Sequence, residues 1–219
     1  MQSVRDQRTP YFEERGLVHM TPINRTIREQ VTDQIRDDIV SGKFPAGQAL
    51  RESELAERFG VSRGPVRDAF LQLSQEGFLA YQANRGVTVC NPPDSEDHEF
   101  IVSLRQQIEC HVIKRGLDKI NEADWKQLEK ALAELESACQ TEAVVKVAKA
   151  DMKFHEEILA ACGGTDFLPL WKKLCSQMLL GYSRLENYAE IHAEHVSILE
   201  ALKSGRTNAV TTAIIANIQ

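Results

Sequence analysis

The stretch LAERFGVSRGPVRDAFLQLSQEGF, Leu55–Phe78, decides the fold. It reads as two short helices around a tight turn. Leu55, Ala56 and Phe59 form the apolar face of the first helix. Gly60 is its stop, because the residue past a helix end often needs positive φ. Val61 packs the corner, and Ser62 suits the N-cap of the next helix. Pro65 falls in the first turn, where its missing N–H costs little. Val66, Phe70, Leu71 and Leu73 then return at helical spacing until Gly77. Such a pair is a helix-turn-helix, or else an ordinary corner of an all-α core. Read as the former, it presents Ser62, Arg63, Gly64 and Arg67 at the end that meets base edges and phosphates.

The next residues favour the former. Phe78–Gln82 reads as a strand, Asn84-Arg85-Gly86 as a turn and Val87–Cys90 as a second strand. A hairpin directly after the second helix makes the module winged. Arg85 beside Gly86 then puts a cation at the wing tip, where backbone can approach a phosphate or groove floor. Upstream, Ile27, Val31, Ile35 and Ile39 recur every four residues, which predicts an amphipathic helix from Ile23 to Val40.

The run LRESELAERFGVSRGPVRDAFLQLSQEGFLAYQANRGVTV at 50–89 resembles the winged-helix domain of GntR-family bacterial transcription regulators. The resemblance covers about residues 23–91. It implies that Arg63 and Arg67 touch operator DNA, Ser62 a phosphate, and the Arg85-Gly86 tip the adjacent minor groove. Many relatives carry arginine in the first helix of the motif where this chain has Ser53, with Arg51 nearby but out of phase.

Bulk numbers agree with such a protein. The 219 residues allow one large or two modest domains. The net charge is −6, but residues 1–90 hold 12 of the 26 Lys/Arg and 12 of the 32 Asp/Glu. The excess negative charge therefore lies in the remainder, and a local basic face suffices for phosphate binding. No apolar run is long enough to span a membrane, and no signal-peptide pattern opens the chain, so a cytoplasmic protein is expected. Five scattered cysteines without a CxxC pair read as reduced, mostly buried thiols.

The order of the chain follows. Residues 1–21 are polar, contain Pro10, show no helical stripe, and read as a flexible N-terminal extension. Met20 resembles a natural start, with the preceding residues an upstream addition. Residues 22–91 form the winged helix-turn-helix, and 92–94 a proline-stiffened linker. Residues 95–219 read as an all-α domain of six helices, near 95–118, 122–140, 143–162, 166–185, 187–204 and 206–218. Trp125, Trp171, Phe154 and Phe167 read as core. The expected class is mainly α, with a small β-hairpin wing and a helical-bundle effector domain.

Within that second region Asp151 and His155 are four apart and share a helix face. They form either a hydrogen-bonded pair or two ligands of one divalent metal, with His195 on a later helix able to join them. Arg105 is either a solvated helix cation or an intrahelical partner of Glu109. SLRQQIE at 103–109, ADMKFHEEIL at 150–159 and EHVSILEAL at 194–202 resemble the FCD ligand-binding domain of the FadR-like branch of the same family. The resemblance implies metal ligation by Asp151, His155 and His195. It puts the fourth, normally histidine, position on Asn217. An amide there means a weakened site, one completed by water or effector, or one shifted towards an ion that oxygen ligands suit; zinc, nickel and manganese are the candidates. By the same resemblance Arg105, and secondarily Arg184, face the effector.

The function so implied is a homodimeric regulator, a repressor by the commoner logic of the family. It binds a palindromic double-stranded DNA operator and responds to a small organic acid. Two alternatives stand beside it: a metal-dependent helical hydrolase built on Asp151, His155 and His195, and a DNA-binding regulator that has lost its effector. Against the hydrolase, no general base or nucleophile has a recognisable partner, and no Gly-rich phosphate loop occurs.

Overall fold

The computed structural model describes residues 25–82, 86–181 and 187–219. The expected N-terminal extension, Arg85 and Arg184 lie outside them. Helix α1 (Ile27–Val40) starts at a capping box. Thr26 accepts from the Glu29 N–H, and the Glu29 carboxylate accepts from the Thr26 N–H at 2.8 Å. Its buried stripe is Val31, Ile35 and Ile39. After the two-residue strand β1 (Ala49–Leu50) come α2 (Glu52–Phe59) and α3 (Arg63–Glu76). Gly60 between them has φ 64°, a left-handed conformation that most side chains resist.

Helix α3 buries Val66, Ala69, Phe70 and Leu73, while Leu71 stays 48% exposed. Leu71 is therefore not part of the apolar face expected of it. It sits one residue, about 100° of helix rotation, away from Phe70. Arg36 of α1 donates from Nε and Nη2 to the carboxylate of Glu76 on α3, at 2.8–3.1 Å.

Strands β2 (Leu79–Gln82) and β3 (Gly86–Val89) pair antiparallel, Leu79 opposite Val89 and Gln82 opposite Gly86. β1 adds to the other side of β3, Ala49 opposite Thr88, so the wing is a three-stranded sheet of order β1-β3-β2. The expected hairpin is thus two-thirds of the sheet. A two-residue strand has too little alternation to be seen as a period.

Six further helices follow among the described residues: α4 (Ser95–Gly116), α5 (Glu122–Gln140), α6 (Val144–Ala161), α7 (Leu168–Leu179), α8 (Tyr188–Lys203) and α9 (Thr207–Asn217). Asp94 caps α4 by accepting from the Asp97 N–H at 2.9 Å. Helix α7 is shorter than expected, because a 3-10 turn occupies Thr165–Phe167 and the helix ends at Leu179. One core joins α4, α6, α7, α8 and α9 around Ile113, Phe154, Ile158, Trp171, Ile198 and Ile214. Helix α4 meets the α6–α7 corner at backbone distance: a Cβ on Gly116 would lie 1.9 Å from the Cys162 carbonyl oxygen. All five cysteines are free thiols, four of them buried.

The linker does not hold the two regions apart. Ala148 of α6 is buried in the winged-helix core, and Leu179 and Leu180 pack against it. Lys149 reaches Asp37 of α1 at 2.6 Å.

Candidate functional site

Two sets of residues were singled out by the sequence, and the fold treats them differently. The first lies at the N-terminal end of α3. Ser62 caps the helix by backbone conformation, and its side chain makes no capping bond. Its hydroxyl thus remains available beside unsatisfied helix N–H groups, an arrangement suited to an anion. Ser62, Arg63 and Gly64 are exposed, and among the described residues Arg63 has no ion-pair partner. Arg67 is exposed but engaged. Its Nε and Nη2 donate to the two carboxylate oxygens of Glu52 at 3.2 and 3.1 Å. That hydrogen-bonded partner raises the Arg67 pKa. Ser53 is exposed beside this pair, and Arg51 turns to Glu54 at 3.1 Å. Gly86, with φ 74°, opens β3 at the base of the wing tip.

The second set is buried apart from the half-buried Asn217, and four helices build it. Asp151 and His155 come from α6, His195 from α8, Asn217 from the end of α9 and Arg105 from α4. The structure brings all five together. His195 Nε2 lies 2.6 Å from Asp151 Oδ1, His155 Nε2 lies 3.6 Å from the same oxygen, and Asn217 Oδ1 lies 3.0 Å from His155 Nε2. One ligand atom each from Asp151, His155 and His195 falls within 4.8 Å of the others. The two imidazoles meet edge to face, with ring centroids 5.3 Å apart.

What orients them is a residue not singled out from the sequence as functional. Glu109, fully buried on α4, accepts from Arg105 Nε at 2.9 Å, from the Trp171 indole N–H at 2.7 Å and from His155 Nδ1 at 2.7 Å. Trp171 is thus core, as expected, and also a polar anchor. A carboxylate only accepts, so it fixes the proton of His155 on Nδ1. His195 Nδ1 faces the Ile191 carbonyl oxygen at 2.7 Å, with the same consequence. Both Nε2 atoms are thereby turned to the common point, as backing acceptors do in metal sites. A signal for Glu109 existed in the sequence. Arg105 and Glu109 fall at four-residue steps from Ile101 and before Ile113, on the buried stripe of α4. Opposite charges four apart on an apolar stripe announce a buried pair.

The electrostatics fit a cluster that wants positive charge. Burial alone would raise the Glu109 pKa, but His155 and Arg105 hold it down at about 2. Burial also works against ionised Asp151, and the hydrogen bond from His195 with its charge overrides it, so the carboxyl titrates below its usual range. His195 is the counterpart: burial lowers its pKa, Asp151 raises it, and the net shift is upward. Arg105 keeps its charge despite complete burial, beside two carboxylates. A metal ion at the Nε2 and Oδ1 atoms would take the place of the proton that His195 shares with Asp151. The donor set of two imidazole nitrogens, a carboxylate oxygen and an amide oxygen fits a divalent metal.

These residues open onto a cavity of about 530 Å³ lined by Arg105, Asp151, Met178, Glu194, His195 and Asn217. Arg105 is 3% exposed. Its Nη1 points to Met178 Sδ at 4.0 Å, and its Nη2 is buried with no hydrogen-bond partner among the described residues. Among the described residues no helix is long and apolar enough to cross a membrane.

Comparison with known proteins gives a consistent answer for both regions. The family model "Bacterial regulatory proteins, gntR family" matches residues 27–89, and the model "FCD domain" matches residues 100–219. The chain is 28% identical over 207 residues to the HTH-type transcriptional repressor RspR of Escherichia coli K12, covering 91% of this chain and 90% of that protein. It is 29% identical over 184 residues to the gluconate operon transcriptional repressor of Bacillus subtilis, covering 80% of this chain and 75% of that one. In fold it is similar to E. coli McbR/YncC, with a TM-score of 0.75 at 20% identity over 89% of this chain and 94% of that one. These families and relatives are transcription regulators, not enzymes.

Proposed function

The chain belongs to the gntR family of bacterial regulatory proteins and carries an FCD domain, so it is a DNA-binding transcription regulator; we propose that it is a repressor released by a small organic acid. The observation that carries the effector class is Arg105 Nη2. A guanidinium nitrogen buried without a partner costs on the order of 1–3 kcal/mol, and a carboxylate in the adjoining cavity removes that cost. Asp151, His155, His195 and Asn217 would hold a divalent metal beside it. When bound, the ion supplies a second positive centre for the acid. The chain's own part is to present the Arg105 fork and to exclude water through Met178 and the buried walls. Arg184 would add a further cation.

At the other end, Arg63 and Arg67 read the operator, with Ser62, Gly64, Arg85 and Gly86 on the backbone and groove. Repression is favoured by the relatives that carry "repressor" in their names. A homodimer in the cytoplasm on a palindromic operator matches a single recognition helix per chain. The two ends share structural parts. Asp151 stands one turn from Ala148 and Lys149, which touch the winged-helix core and Asp37. Leu179 lines the cavity and packs on that same core. An effector that moves α6 or the end of α7 therefore moves the DNA-binding surface.

The test is fluorescence anisotropy with the natural upstream DNA, titrating small carboxylic acids with and without added manganese or zinc. At least one acid should weaken DNA binding about tenfold, an allosteric coupling of ordinary size. Arg105→Lys, which keeps a cation beside Glu109 but loses the fork, should bind DNA normally and lose most of its response to that acid. If no carboxylate alters DNA affinity or melting temperature, the chain is a regulator without this effector.

A further inference from the structure

We infer that Asn217 is a metal ligand through its carbonyl oxygen, and that Glu194 is the positioning residue that turns the amide that way. The inference rests on the metal reading above and specifies which ion the site prefers.

An asparagine amide can face a site with its oxygen or its NH₂, and only its hydrogen-bond partners decide. Here Asn217 Nδ2 donates to Glu194 Oε2 at 2.8 Å. The carboxylate of Glu194 accepts only, so it claims the NH₂ end and leaves Oδ1 facing inward. The backbone at this point is also pinned. Gln106 of α4 donates from Nε2 to the carbonyl oxygens of Ile215 and Ile218, at 3.1 and 2.9 Å. The last turn of α9 is thereby held over the cluster.

The resulting contact is informative. His155 faces Glu109 with Nδ1, so Nε2 is the atom that it turns towards Asn217 Oδ1, 3.0 Å away. His195 Nε2 and Asp151 Oδ1 lie 2.6 Å apart beside this contact. One ligand atom each of Asp151, His155 and His195 is within 4.8 Å of the others, and Asn217 Oδ1 joins them where a metal ion would replace the proton that His195 gives Asp151. Asn217 Oδ1 is then one of four donors, two nitrogen and two oxygen.

Amide and carboxylate oxygens suit manganese and similar hard ions, whereas imidazoles suit zinc and nickel. An oxygen at position 217 shifts relative selectivity from zinc towards manganese, without making manganese the tighter ion in absolute terms. Glu194 adds negative charge behind the amide and strengthens its oxygen as a donor, as outer partners of metal ligands do.

The experiment uses full-length protein stripped with a chelator. Manganese and zinc, each alone, are titrated calorimetrically into wild type, Asn217→His, Asn217→Leu and Glu194→Gln, with the metal-free melting temperature of each as a folding control. Asn217→His should raise the zinc-to-manganese affinity ratio at least about tenfold, and Asn217→Leu should weaken both metals. Glu194→Gln should weaken manganese by about tenfold, the lower end of the effect expected for an outer partner. If the histidine variant does not fold, the leucine and Glu194 variants decide. Wild type that binds metal while no variant changes affinity or ratio would overturn the role of Asn217 and leave the metal reading standing. Wild type that binds neither ion overturns both.

Discussion

The winged-helix region and the helical region keep their candidate residues in opposite conditions. Ser62, Arg63, Gly64 and Arg67 occupy six consecutive positions, all exposed apart from the intervening Pro65 and Val66. Arg105, Glu109, Asp151, His155, His195 and Asn217 span more than a hundred residues and four helices, and the first five are buried. An exposed reading residue can be lost at the cost of its contact to DNA alone. A buried polar residue is also a structural part, because each neighbour it leaves behind loses a partner in low dielectric.

Glu109→Ala should break that contrast most visibly if it is wrong. It strands a buried guanidinium, an indole N–H and an imidazole N–H together. Removing one partner of a buried ion pair costs about 3–5 kcal/mol, a large share of a domain's stability. Urea denaturation should show the loss in full. A variant as stable as wild type would mean that the cluster is no more than a solvated face.

Arg63→Ala and Arg67→Ala should do the reverse. Each should cost about 1–3 kcal/mol of specific DNA affinity, while stability stays within about 0.5 kcal/mol of wild type. Arg67→Ala leaves Glu52 without its partner, but both groups are exposed, and such pairs contribute little to stability. Gel shifts with the upstream region, beside denaturation curves, check both halves of the statement. Near wild-type DNA affinity in both variants would remove the reading of α3.

A smaller, graded effect sharpens the buried side. His195 is raised above its ordinary value when folded. Its contribution to the metal-free fold is therefore fully present below the unfolded pKa, about 6.5, and fades as pH rises through the higher folded value. Metal must displace that proton, so metal affinity should fall by up to about tenfold per pH unit below the folded value. Calorimetry in two buffers of different ionisation enthalpy should reveal the released proton. Buffer-independent heats would mean that His195 is not a ligand.

Legibility followed the same divide. The helix pair, its glycine stop at Gly60 and the wing hairpin were readable because each is set by residues adjacent in sequence. Leu71 was misplaced because a helical period fixes a face only to within a residue, and α3 turned Ala69 rather than Leu71 inward. β1 escaped because it acquires its identity by pairing with β3, not by any pattern of its own. In the helical region the i, i+4 pair Asp151 and His155 was visible, and the family resemblance supplied His195 and Asn217. The binding role of Glu109 was not visible, since an intrahelical partner for Arg105 and an anchor for Trp171 and His155 look the same along one helix.

The sequence by itself determined the order of helices, the two-helix reader with its cationic end and the family to which the chain belongs. Local backbone preference, capping and apolar periodicity act over a few residues and leave their marks in consecutive letters. Only the tertiary structure decided that Arg105 keeps a free nitrogen inside a cavity, that Glu109 aims His155, that Glu194 turns Asn217, and that α6 joins that cavity to α1 through Lys149 and Asp37. Those are facts of distance between helices. They arise because close packing brings polar groups from remote segments into one dry space, where each must find a partner or be left wanting one.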